Sequence, residues 1–444
     1  MPPRQTEPKA SHRTRRRPGR AGTFLSRLGP GLITGASDDD PSGIGTYSQA
    51  GAQYGYGLLW TLIFTIPLMA AIQEISARLG RVTGHGIAGN IRIHHSRWVL
   101  YPIVLLVLAA NIITIGADLG AMGDATKLLV GGSALLYCAL FAILCVGLEI
   151  FSSYKQYSRY LKWLTLVLFF YVASAFSVHI PWGSALRNMV VPQFQRNGDY
   201  WSVVIAVLGT TISPYLFFWQ AGMEKEEIRG HRNQKRLRSA PGQAPRQLRR
   251  IRVDTWTGMA LSNIVGLFIM LAAAATLHAH GITDVQSSAQ AAEALRPIGG
   301  RFSFILFAAG IIGTGLLGLP TLIGSAAYAV AEAMHWPSSL NQKPGQAKGF
   351  NMVLVITTVV GLSMNLSVVQ HITHLSPIGA LFWAAVINGI VASPIMVIVM
   401  LMHHNPKIMG PFATKARALN IMGWLSTLAM AGATVGMFVT WRSG

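Results

Sequence analysis

The chain has 444 residues, of which 51% are hydrophobic and only 12% charged, with a mean hydropathy of +0.42. That balance is too apolar and too charge-poor for an ordinary soluble globule. The formal net charge of +20 does not point to nucleic acid, because no folded reading module accompanies the basic residues.

A helical membrane crossing needs about 20 apolar residues. Taken in chain order, such stretches fall at 28–56, 57–79, 98–120, 128–150, 159–179, 200–220, 255–279, 302–330, 351–370, 377–402 and 419–440. The ten-residue alternation of a membrane β-barrel is not visible. The expected fold class is therefore an all-α polytopic membrane protein with 11 transmembrane helices. Of the 36 Lys and Arg, 30 fall on the side shared by the N-terminal tail and the even-to-odd connections. Positive residues gather on the cytoplasmic side. The expected topology has the N-terminus in the cytoplasm and the C-terminus outside, in a bacterial inner (plasma) membrane. The lipid bilayer is the one expected partner besides the solute carried. Nucleic acid, a cofactor and an obligatory protein partner are not indicated.

Residues 1–27 form a basic cytoplasmic tail, Pro- and Arg-rich and without an apolar face, which predicts disorder. The first span reads GPGLITGASDDDPSGIGTYSQAGAQYGYG, and it breaks the membrane rules. Asp38, Asp39 and Asp40, followed by Pro41, Ser42 and Gly43, lie well inside an apolar stretch. Each carboxylate near the bilayer centre costs about 2.5–3.5 kcal/mol. Pro41 removes a backbone donor, and unwound backbone at membrane depth survives only where it is buried in protein or lines a cavity. A functional break is the economical reading. In the second span Glu74 stands four residues before Arg78, the spacing of a helical ion pair. The third span carries Asp118, which can relay protons, contact a hydrated ion or simply pack in the bundle. Cys138 and Cys145, seven apart on the fourth, are separated by about 10 Å of helical rise, too far for a disulfide.

The sixth span, VVIAVLGTTISPYLFFWQAG, is interrupted at Gly209, Thr210, Thr211, Ser213 and Pro214. Interrupted spans at matching positions of two halves are the best sequence pointer to a midplane site in an inverted-repeat transporter. Spans 1 and 6 are five apart, so the halves are residues 28–180 and 200–402, with an additional helix at 419–440. The basic loop at 222–253, containing NQKRLRSAPGQAPRQLRR, is read as a second disordered segment. Asn388 in the tenth span either faces the site or bonds between helices. The interfacial histidines His278, His280, His403 and His404 are read as incidental. No P-loop, nucleophile elbow or Cys/His cluster supports ATP-driven transport or an enzyme.

Unwound carbonyls and half-helix C-termini carry partial negative charge, and Asp40 adds a full one. The combination suits a cation. An organic-cation carrier would need an aromatic cage, but Tyr215, Phe217, Phe218 and Trp219 are consecutive or nearly so and spread around their helix. A metal sensor without transport would need an effector domain, and the basic loop is too short and polar to be one.

The first-span motif, QEISARLGRVTG in the second span and the paired breaks resemble the NRAMP family of divalent metal transporters over most of residues 28–402. The resemblance implies a 5+5 inverted-repeat bundle of LeuT type with helices 1 and 6 interrupted. In that family a first-span DPGN motif and a sixth-span MPH motif enclose a transition metal. Here Asp40 and Pro41 match, while Ser42 and Gly43 replace the glycine and asparagine. Ser213 and Tyr215 replace the methionine and histidine around Pro214. Gln220 falls where a second histidine is usual, and Ala121 replaces a glutamate linked to proton movement. The resemblance thus implies a metal site of Asp40, Ser37, Gly43, Thr210 and Ser213, with Asp39, Ser42, Tyr215, Asp118 and Asn388 around it. Loss of a thioether leaves oxygen donors suited to Mg2+ or Mn2+. The expected substrate is Mg2+ and/or Mn2+, carried by alternating access without proton symport. The alternative is a proton-coupled Mn2+/Fe2+ symporter of the family's usual kind.

Overall fold

The computed structural model describes residues 30–151, 169–195, 197–231, 233–293, 295, 300–340, 345–368, 376–413 and 416–441. The basic tail 1–27 and the first part of the expected fifth span lie outside the described residues. The described residues form helices and no strands. In chain order the main helices are α1 (Pro30–Asp38), α2 (Pro41–Tyr54), α3 (Leu59–Thr83), α4 (Ile87–His94), α5 (Arg97–Val130), α6 (Ala134–Phe151) and α7 (Phe169–Ser177). There follow α8 (Trp182–Val190), α9 (Gly198–Thr211), α10 (Pro214–Gly230), α11 (Ala244–Thr276), α12 (Ser288–Glu293) and α13 (Ser303–Ala333). The chain closes with α14 (Lys348–Ser363), α15 (Pro377–His404), α16 (Pro406–Met409) and α17 (Arg417–Trp441).

Of the eleven expected crossings, eight are helices long and apolar enough to span a bilayer, counting α9 and α10 together. Helix α14 is shorter, the first span is split into α1 and α2, and the fifth is described only in α7. Helices α6 and α17 are the outer staves: Leu140, Ile143, Leu428 and Val439 are at least half exposed, as side chains facing lipid would be.

Both breaks use the same local chemistry. Asp40 is the N-cap of α2 with Pro41 at its first turn, and Ser213 is the N-cap of α10 followed by Pro214. Proline suits that position because its missing N–H would have no intrahelical partner. Each break is thus an ended helix, a two-residue link and a new proline-started helix.

The packing carries the inverted repeat. Helix α2 lies on α11, and α10 lies on α3, while α3 meets α11 and α5 meets α13. Exchanging the halves maps the first contact onto the second and each of the others onto itself. Small residues let the backbones approach: a Cβ on Gly35 would stand 2.3 Å from the Gly258 backbone, and one on Gly209 would stand 2.1 Å from the Ala385 carbonyl. Close backbone approach through glycine is how helices associate where apolar burial gives no drive.

The expectation of disorder in the 222–253 loop is overturned. Helix α10 continues to Gly230, a short 3-10 turn covers Pro241–Gln243, and α11 begins at Ala244. Between them Leu237 is fully buried, and the amides of Leu237 and Arg238 bond the carbonyls of Arg81 and Val82. Lys225, Arg250 and Arg252 have acidic partners, which composition could not show. Glu224 takes Arg250 at 2.5 Å and Arg81 at 3.7 Å, Glu332 takes Lys225 at 2.7 Å, and Glu74 takes Arg78 at 2.5 Å and Arg252 at 3.4 Å. Glu332 also caps α4, accepting from the amides of Gly86 and Gly89 at 3.0 Å. The expected Glu74–Arg78 pair is present. Cys138 and Cys145 are free, buried thiols.

Candidate cation site at the paired breaks

The two interrupted helices bring their ends together at the centre of the bundle. Asp40 is 1% exposed. Its Oδ1 accepts from the Gly43 amide at 3.0 Å and from the Ser42 hydroxyl at 2.5 Å. Its Oδ2 lies 3.1 Å from the Tyr215 hydroxyl, which also lies 3.0 Å from the carbonyl of Ser37. Tyr215 therefore crosses from α10 to both chemically active ends of the first break. One phenolic hydrogen serves two acceptors there.

Ser37 is held from the other side. Thr321 of α13 donates to the Ser37 hydroxyl at 3.0 Å, and a Cβ on Gly318 would stand 2.7 Å from Cβ of Asp40. Gly318 thus lets the break lie directly on α13. In the second break the Ser213 hydroxyl donates back to the carbonyls of Gly209 and Thr210 at 2.8 and 2.9 Å. Its lone pairs remain as donors to a cation. The Thr210 hydroxyl is buried without a partner, and a Cβ on Gly43 would approach it to 3.3 Å. Gly43 and Thr210 are therefore neighbours across the two breaks. The space beside Gly43 is contact distance rather than an open void, so an asparagine there would need Thr210 or Tyr47 to move.

Asp118 of α5 faces the same place. It is fully buried, faces the Asp40 carboxylate and the Ser42 amide, and has no hydrogen-bond partner on either oxygen. Asn388 is tied to α5. Its amide donates at 3.0 Å to Thr114, one turn before Asp118 on α5, and its Oδ1 has no partner. Of the sequence-derived residues, Ser37, Asp40, Ser42, Gly43, Thr210, Ser213 and Tyr215 converge, Asp118 adjoins them, and Asn388 supports the helix that carries Asp118. Asp39 points elsewhere: its Oδ1 accepts from Ser262 of α11 at 3.1 Å.

Sequence reasoning missed Ser262, Thr321 and Gly318. None lies at a break, and the small and polar residues in otherwise apolar α11 and α13 were their only signal. It also missed that Gln220 accepts from Thr34, a bond that ties α10 to α1. Among the described residues no group of three His, Cys, Asp or Glu is arranged to hold a metal. What the breaks offer is one carboxylate, hydroxyls and carbonyl oxygens, without sulfur or imidazole.

A cavity of about 710 Å3 opens where α2 ends and α9 begins, lined by Gln49, Gln53, Asp199, Ser202, Asp284 and Trp383 among others. Its lining stops at Gln49, nine residues beyond Asp40, which is about 13 Å of helical rise. The opposite end, where α3 and α10 finish, is tied by the buried ion pairs of Glu74, Glu224 and Glu332.

The chain is similar to known proteins in sequence and in fold. The chain is 30% identical over 325 residues to the divalent metal cation transporter MntH of Yersinia pestis, covering 71% of this chain and 74% of that one. It is 28% identical over 313 residues to the MntH of Aeromonas hydrophila, covering 68% and 72%. The fold matches a crystal structure of the Eremococcus coleocola manganese transporter with a TM-score of 0.74 at 17% identity, covering 97% of this chain and 89% of that chain. The family model described as natural resistance-associated macrophage protein-like matches residues 31–440, and the chain accordingly belongs to the Nramp family.

Proposed function

We propose that this divalent metal cation transporter of the Nramp/MntH type carries a hard cation, Mg2+ with Mn2+ accepted, and moves it by alternating access without proton symport. The observation that carries the reading is the donor set at the breaks. Asp40, the Ser37 and Thr210 carbonyls, and the Ser42, Thr210 and Ser213 hydroxyls are all oxygen, and the Tyr215 hydroxyl hydrogen-bonds to two of them. Oxygen sites suit Mg2+ and Mn2+, whereas late transition metals are selected by sulfur and imidazole. Mg2+ dehydrates reluctantly and keeps several waters, so it is bound through one or two carboxylates with waters completing the shell. Asp40 supplies the direct contact in this reading, and Asp118 faces the water shell.

Alternating access has a physical basis in the two ends of the bundle. The end with the 710 Å3 cavity is outside if the positive-inside count sets orientation, and the ion-paired end is cytoplasmic. Release inward requires the pairs on Glu224 and Glu332 to part, because they join α10 to α3, α11 and α13. The test is uptake of Mg2+, Mn2+ and Ca2+ by the full chain in proteoliposomes, compared in parallel. Saturable Mg2+ uptake that competes with Mn2+ is the expected result. Mn2+ uptake indifferent to millimolar Mg2+ would overturn the hard-ion reading.

A further inference from the structure

Asp38 and Asp39 stand next to Asp40 in sequence but face away from it. Both turn to α11, where a single side chain receives them: the Ser262 hydroxyl lies 2.7 Å from Asp38 Oδ2 and 3.1 Å from Asp39 Oδ1. A serine has one hydrogen to donate, so it can satisfy only one of the two carboxylates. The remaining oxygen of Asp38, Oδ1, is buried with no partner. Asp38 is 0% and Asp39 2% exposed.

A separate group points to the same spot. The Tyr47 hydroxyl is fully buried and without a partner. Its ring lies against Gly266, one helical turn after Ser262 on α11; a Cβ there would stand 2.7 Å from Cε2 and 2.9 Å from Cζ. The same ring lies 3.5 Å from a Cβ built on Gly43, so the phenol stands between α11 and the start of α2 beside the aspartates. A buried phenol oxygen and a buried carboxylate oxygen, both without a hydrogen-bond partner, are free to coordinate a cation.

Charge bookkeeping agrees. Asp38, Asp39, Asp40 and Asp118 are all buried, and the ion pairs of the described residues fall on Glu74, Glu224, Glu227 and Glu332 instead. A buried carboxylate persists as an ion only when paired or coordinated. One divalent ion at Asp40 neutralises half of the four carboxylates. A second one neutralises the rest.

We infer that Asp38 and Asp39, with the Ser262 and Tyr47 hydroxyls, form a second binding site for a hard divalent cation, on the α11 side of the first break and separate from the Asp40 site. The inference rests on the reading of this protein as a carrier of such ions and deepens it. The two ions share one unwound segment, so occupancy of the second site fixes the conformation in which Asp40 meets the first.

The experiment counts Mn2+ bound to the purified full chain in detergent, by equilibrium dialysis in sodium-free buffer with the electron paramagnetic resonance spectrum recorded on the same samples. The unmodified chain should bind two Mn2+ and show the broadening of a close ion pair. Asp38→Asn with Asp39→Asn should bind one, and Asp40→Asn should also bind one. Ser262→Ala, a small change on an intact helix, should weaken one of the two ions about tenfold while leaving the other. A single Mn2+ in the unmodified chain, lost on Asp40→Asn and untouched by Asp38→Asn with Asp39→Asn, would overturn the second site and leave the function standing. Two ions that both survive Asp40→Asn would instead overturn Asp40 as the transport ligand. Loss of one Mn2+ on adding millimolar Na+ would overturn the divalent assignment.

Discussion

The hydroxyl of Tyr215 lies 3.1 Å from Asp40 Oδ2 and 3.0 Å from the carbonyl of Ser37, so a residue of the second break occupies two of the donors of the first. The contact links the half-helix that must move at the ion-paired end with the carboxylate that holds the ion. It also gives Asp40 Oδ2 and the Ser37 carbonyl a partner within the protein. An incoming cation must displace a hydrogen bond or accept it through a water.

Tyr215→Phe follows directly from that contact. Losing the hydroxyl removes about 1 kcal/mol of competing hydrogen bonding from the empty state. Mn2+ binding by the purified protein should tighten roughly three- to tenfold, since 1.4 kcal/mol is a factor of ten. Weaker binding instead would identify the hydroxyl as a ligand of the ion.

Asp40→Asn should abolish metal uptake in proteoliposomes while the protein still inserts and purifies as a single species. The side chain keeps its shape and can still accept from Gly43, but the one full negative charge among the converged donors is gone. Normal uptake by this variant would move the transport site to another carboxylate.

Selectivity should respond to the positions where a soft donor and an amide are absent. Ser213→Met with Gly43→Asn places a thioether and an amide at the breaks, and preference should shift toward Mn2+ and Cd2+ over Mg2+. Because a Cβ at Gly43 stands 3.3 Å from the Thr210 hydroxyl, the pair should be tested with and without Thr210→Ala, which removes that hydroxyl. Unchanged competition by Mg2+ in both backgrounds would show that these positions do not set selectivity.

Transport should be driven by the membrane potential and not by protons. The residues at the second break and beyond it, Tyr215 and Gln220, do not titrate near neutral pH. Gln220 is instead fixed to Thr34 as an acceptor. A divalent ion gains about 4.6 kcal/mol per 100 mV, which suffices to accumulate it. With voltage clamped by K+ and valinomycin, vesicles containing a pH dye should take up metal without acidifying. Acidification in proportion to uptake would establish coupling, and Asp118, facing Asp40, would be the first residue to test.

Glu224→Gln should loosen the tied end. Glu224 holds Arg250 and the fully buried Arg81, and removing one partner of a buried pair costs about 3–5 kcal/mol. Thermal stability in detergent should fall. Accessibility of a cysteine placed on α10 near Gln220 to a reagent added from the cytoplasmic side should rise. A stability loss without greater accessibility would make the network structural and not a gate.

Composition and periodicity alone determined that this is a bundle of membrane helices, because a hydrocarbon solvent demands long apolar runs and tolerates few charges. They also marked both breaks, since Asp38–Asp40 with Pro41, and Thr210–Ser213 with Pro214, violate those demands at matching points of two halves. The resemblance added which aspartate and which flanking positions to watch. Only the tertiary structure decided the direction of each side chain. Three consecutive aspartates read alike in sequence, yet Asp40 faces Tyr215 and α13 while Asp38 and Asp39 face Ser262 of α11. Unwound backbone has no fixed periodicity, so adjacent residues can face opposite ways, and the packing of the flanking half-helices sets which. The order in the 222–253 loop was illegible for a related reason. Its Arg250 and Arg252 are stabilised by Glu224 and Glu74, which meet them only when α3, α10 and α11 pack together.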